Sequence, residues 1–141
     1  MIIKEGNGFI AIRMEDGENF FESIKTVCKN YSVESGVIIN GIGMLRDLKI
    51  GYWDGKEYKI EEIEVPVELV SMQGNIGTSE NDGDPIVHIH IAVAKPDHTV
   101  IGGHFVSGTV NNTGEIFLQK LENITLLRRK DPNGLLGLYP A

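Results

Sequence analysis

Apolar and polar positions alternate along most of this chain, and one stretch departs to the three-and-four spacing of a helix. Residues 8–14, "GFIAIRM", alternate as a first strand, which the turn-forming "EDGEN" ends. Phe20, Phe21, Ile24, Val27, Cys28 and Tyr31 then share one helical face, with Asp16 as the expected N-cap. After the helix, "GVIINGIGMLRDLKIGYWDGKEYKI" reads as extended chain, with a break expected at Gly41 and Gly43 and a hairpin at Asp54-Gly55. The acidic stretch Glu61 to Glu64 reads as an exposed edge or loop. "VPVELVSMQGNI" reads as a strand with Pro66 at its start or at a sheet edge. "GTSENDGDP" is expected to be a mobile loop, because no large apolar anchor stands between Ile76 and Ile86. A hairpin from Ile86 to Phe105, a connection "SGTVNNTG", a long strand "EIFLQKLENITLLRR" and a tail "DPNGLLGLYPA" complete the pattern. Many strands and one main helix, without βα alternation, predict an α+β fold on a mostly antiparallel sheet.

Length changes this picture only by fixing its scale. The 141 residues fit one domain spanning 1–141, with enough apolar surface to fold around a single core. Charge removes one class of partner from the foreground: the formal net charge of −7 repels a nucleic-acid duplex on average. The longest basic run, Arg128-Arg129-Lys130, reads as a solvated strand end. Cys28, the one cysteine, excludes an intrachain disulfide and falls on the buried helical stripe, where no cationic partner would activate it. No segment approaches the ~20 apolar residues of a membrane span, so a cytoplasmic protein is expected.

Candidate chemistry gathers in "IVHIHIAVAKPDHTVIGGHF", which holds all four histidines. Alternate strand residues share a face, so Ile86, His88, His90, Ala92 and Ala94 lie on one side and the β-branched Val87, Ile89, Ile91 and Val93 on the core side. In "KPDHT", Pro96 and Asp97 suit the centre of a type I turn, and His98 can take the left-handed conformation that closes a three-residue hairpin. Lys95 then pairs with Thr99, Ala92 faces Gly102, His90 faces His104 and His88 faces Val106. Opposed side chains stand about 5 Å apart, so this register puts His88, His90 and His104 on one patch. Ala92 opposite Gly102 is expected to leave a hole beside them. Three imidazoles with an open position form the pattern of a catalytic-type zinc site, to be completed by water or a small anion. The bland alternative is three ordinary sheet histidines. His98 lies at the turn tip and stays out. An enzyme would add a general base, for which Glu68 and Glu115 are the candidates, both in strands of the same sheet. Gly41-x-Gly43 lacks the third glycine of a dinucleotide fingerprint, and close strand packing explains the glycines better.

The segments "IRMEDGENF", "NGIGMLRDLKIGYWD", "VELVSMQGNI" and "IVHIHIAVAKPDHTVIGGHFVSGTV", with the Glu115 strand after them, resemble the plant-and-prokaryote-conserved (PPC) domain. The likeness runs from Gly8 to Arg128, and His-x-His followed by Gly-Gly-His resembles the free-standing prokaryotic branch. It implies an α+β fold with a helix against an antiparallel sheet, and assembly as a homotrimer. In plants the domain accompanies AT-hook segments, and prokaryotic members have been labelled DNA-binding. The chain has no Arg-Gly-Arg hook core. "VPVELV" stands where the plant domain has Gly-Arg-Phe-Glu-Ile-Leu, keeping Glu68 but placing Pro66 at the arginine. The combined expectation is a small trimeric, zinc-binding module, with a zinc-dependent hydrolase or lyase as the alternative and a DNA-associated protein as a further one.

Overall fold

The computed structural model describes residues 1–141. In chain order it forms β1 (Ile2–Gly6), β2 (Phe9–Glu15), α1 (Phe20–Asn30), β3 (Gly36–Trp53), β4 (Tyr58–Ile63), β5 (Val67–Ser79), β6 (Pro85–Ala94), β7 (Val100–Lys120), β8 (Leu126–Lys130) and β9 (Leu136–Pro140). The nine strands belong to one sheet, antiparallel throughout except where β8 meets β5 in parallel. Because β3 pairs with both β5 and β7, and β6 also pairs with both, these four strands close into a ring. The α+β architecture expected from the alternation is the one observed.

Alternation dictates which side of each strand is buried. Ile10, Ile12 and Met14 of β2 face inward with Ile116 and Leu118 of β7, while Phe9, Ala11 and Arg13 face outward with Phe117 and Glu115. Helix α1 lays Phe20, Ile24, Val27 and Cys28 against that inner face, and Phe20 and Phe21 both meet the Phe105 ring at 4.9 Å. Burial of the Cys28 thiol pushes its pKa up to about 11, in keeping with a core residue. No helix is long and apolar enough to cross a membrane.

Several expected boundaries move. Asn19, not Asp16, caps α1, accepting from the Glu22 amide; Asp16 instead accepts from Arg46 and from the Asn112 amide. Gly41 and Gly43 do not interrupt β3. Its register slips there instead, and Gly43, at φ +134, lies so close to Thr113 that a Cβ would collide with its carbonyl oxygen. "SGTVNNTG" is not a connection but the middle of the 21-residue β7, kinked where Asn112 takes φ +67. "GTSENDGDP" is a loop only from Glu80 to Asp84, since Gly77, Thr78 and Ser79 belong to β5 and the Thr78 hydroxyl donates to the Glu34 carbonyl. Two strands had no counterpart in the hydrophobic pattern: β1, folded back by the Asn7-Gly8 turn, and β9, formed by the tail. The Asp54-Gly55 turn, the exposed Glu61 and Glu62 on edge strand β4, and Pro66 just before β5 stand where they were expected.

Candidate metal centre

The histidine hairpin turns as the sequence dictates. His98 adopts φ +68, its amide donates to the Lys95 carbonyl at 2.8 Å, and the Lys95 amide donates to the Thr99 carbonyl at 2.9 Å. Ala94 therefore pairs with Val100, Ala92 with Gly102 and His90 with His104. Beyond that pair the two strands part. β7 turns to β3, pairing His104 with Gly51 and Phe105 with Ile50, so the expected pair of His88 with Val106 does not form and His88 pairs with Asn75 of β5. Glycines permit the switch: a Cβ on Gly103 would stand 2.8 Å from the Gly51 carbonyl oxygen.

The three rings converge despite this divergence. One ligating nitrogen from each of His88, His90 and His104 falls within 4.8 Å of the others, and Nε2 of His88 lies 3.2 Å from Nε2 of His90. His98, exposed at the turn tip, takes no part. The expected hole at Ala92 and Gly102 is absent, because a Cβ on Gly102 would stand 2.4 Å from the Ile91 carbonyl oxygen; the glycine serves strand approach. Open space lies instead where β6 and β7 part, in a cavity of about 360 Å³ bounded by His88, His104, Tyr58, Arg128 and Leu136.

Three residues with no sequence signal complete the site. Tyr58 of β4 stacks on His104 at 4.8 Å between ring centroids. Arg128, expected as a solvated strand end, is 6% exposed; its Nη2 donates to the Asn75 side-chain oxygen and its Nη1 to the Leu136 carbonyl. The same Nη2 lies 3.3 Å from Nδ1 of His88. No hydrophobic period marks Arg128 or Asn75; the parallel pairing of β8 with β5 brings in Arg128, and the pairing of β5 with β6 sets Asn75 opposite His88. Glu68 and Glu115 stand elsewhere. Glu68 pairs with Ala94, and Glu115 sits on the outer face beside Arg13 and Ile42.

Electrostatics prepares the donors. Burial, then the charges of Arg128, His104 and His90, pushes His88 down to about 4, and burial with His90 lowers His104. These two rings are neutral at pH 7, as ligation requires. Nδ1 of His104 is buried without a hydrogen-bond partner, which leaves donor capacity unused at this point of the fold. The set therefore fits a divalent transition ion: imidazole suits zinc, nickel or copper better than calcium or magnesium, and no thiolate is present to favour copper(I).

Residues 3–122 match the sequence profile of the Plants and Prokaryotes Conserved (PCC) domain. The chain belongs to this family. Among solved PCC relatives, a plant- and prokaryote-conserved protein from Pyrococcus horikoshii is 36% identical at a TM-score of 0.86, with 98% of this chain and 94% of that one covered. A metal-containing protein from Archaeoglobus fulgidus is 29% identical at a TM-score of 0.85, with 99% of each chain covered. A Bacteroides thetaiotaomicron protein carrying a provisional DNA-binding label is 23% identical at a TM-score of 0.88, covering 98% and 96%, and shows the shared PCC fold alone. A search among curated proteins finds no match.

Proposed function

We propose that this PCC protein is a small metal-binding module in which His88, His90 and His104 hold one divalent transition ion, zinc by the character of the donors. Water or a small anion completes the coordination. The observation that carries the reading is the convergence of three imidazole nitrogens within 4.8 Å, two of them on rings held neutral by burial. The metal-containing Archaeoglobus fulgidus relative supports it. When bound, such an ion supplies Lewis acidity and a site for an exchangeable ligand.

The module works as a homotrimer in this reading, as the family resemblance implies. Phe9, Ile42 and Phe117 give that assembly an apolar surface on the sheet face opposite α1, each more than a third exposed. Trp53 lies away from that surface, its ring packed on Tyr58 at 5.3 Å between centroids. A binding or regulatory role fits better than the hydrolase or lyase alternative, since neither Glu68 nor Glu115 stands at the histidines. Residues 69–72 already separate Glu68 from Gln73, the partner of His90, by roughly 16 Å of strand. A DNA-associated role rests on the label of a distant relative and opposes the net charge of −7. The test is titration of metal-free protein with zinc against a chromophoric chelator. One tight site per chain supports the proposal, and no competition with the chelator overturns it.

A further inference from the structure

We infer that Arg128 is the anion receptor of the cavity beside the histidines, and that the cavity takes a small organic carboxylate with an apolar body. Arg128 is 6% exposed yet has no carboxylate within ion-pairing distance. Its neighbour in sequence shows the contrast: Arg129 lies 3.8 Å from Glu80 and covers the Tyr139 ring at 3.5 Å. Every partner of Arg128 is neutral: the Asn75 side-chain oxygen, the Leu136 carbonyl and the His88 ring. Its Nε–H is buried with no acceptor at all.

A cation buried without a counter-charge is costly. The neutral partners of Arg128 satisfy some of its N–H groups but leave its charge unbalanced, and an anion in the cavity would supply the missing counter-charge. The fork geometry of the guanidinium matches a carboxylate, which can accept two parallel N–H bonds. The rest of the wall sets the remainder of the ligand. Ile86, Val87, Leu135 and the Tyr58 ring line the cavity, whose volume of about 360 Å³ suits a small molecule and is too small for a folded partner or a nucleic-acid duplex. The receptor is Arg128 itself, so the inference shares the histidine site with the metal reading but holds for metal-free protein.

The experiment uses the metal-free full chain, titrated separately with benzoate, benzamide and inorganic phosphate while the arginine Nε–H signals are followed by 1H–15N NMR. Benzoate should bind roughly tenfold or more tightly than benzamide, its neutral counterpart of the same shape, and should shift the Arg128 signal. Arg128→Gln, checked for folding by circular dichroism, should lose benzoate binding by a similar factor. Equal binding of benzamide, a shift confined to other arginines, or no benzoate binding overturns the inference. Phosphate binding more tightly than benzoate overturns the apolar-bodied carboxylate as the ligand. If Arg128→Gln does not fold, the wild-type ratio of benzoate to benzamide decides alone. Zinc is absent from every arm, so failure of the metal proposal leaves this result intact.

Discussion

Nη2 of Arg128 lies 3.3 Å from Nδ1 of His88, and because a guanidinium only donates, the ring nitrogen accepts. The proton of neutral His88 is then on Nε2, directed at Nε2 of His90 3.2 Å away. Metal-free protein should therefore show His88 as the Nε2–H tautomer in 15N NMR. If His88 held an ion at Nε2, its ring proton would have to sit on Nδ1, facing an Arg128 N–H. Arg128→Gln relieves this opposition and should tighten metal binding by about tenfold, opposite in sign to the roughly 10–100-fold loss usual when a supporting residue behind a ligand is removed. An Nδ1–H signal in the wild type, or weaker metal binding in the variant, would contradict the arrangement.

Acid should expose the burial of His88. Its pKa is about 4 in the fold, against roughly 6.5 in an unfolded chain. Between those values the unfolded state holds more protons, so the metal-free protein loses stability as pH falls from about 6.5 to 4. The ring keeps some contact with solvent, so after allowance for screening this component is about 1–2 kcal/mol. Urea denaturation at several pH values should show a shallower decline for His88→Gln than for the wild type over that window. Identical slopes would mean that the ring protonates freely in the fold.

The histidine hairpin was legible in the sequence because its determinants are local. Pro96, Asp97 and His98 set the turn, the turn sets the register, and strand alternation does the rest. What happens past His90 was not legible. The parting of β6 from β7 depends on β3 approaching Gly103, and the burial of Arg128 depends on β8 reaching β5 from far along the chain. Neither contact leaves a mark in a short window. Glycine misled in the same way, since Gly102 looked like room for a ligand and proves to be room for a backbone.

That correction has its own test. A Cβ on Gly102 would stand 2.4 Å from a main-chain oxygen that cannot swing away, so Gly102→Ala should force β6 and β7 apart. Overpacking of this kind costs about 1–3 kcal/mol, and chemical denaturation should register it. An unchanged midpoint would restore the open hole.

Assembly is tested on the outer face of the sheet. Phe117 is 46% exposed and opposes Asn40 and Ala11 across its two neighbouring strands, next to Ile42. Sedimentation velocity at micromolar concentration should give a trimer, and Phe117→Glu should give monomers with the same circular dichroism. A monomeric wild type would contradict the assembly.

Metal content decides the central claim. Protein purified without added metal should carry about one zinc or other divalent transition ion per chain by elemental analysis. His104→Ala should carry essentially none while keeping its fold, because two imidazoles alone hold such an ion weakly. His98→Gly, which preserves the left-handed turn residue, should match the wild type. Full metal content in the His104 variant would mean that the three rings converge without forming the site, and that His88, His90 and His104 are ordinary histidines of a sheet.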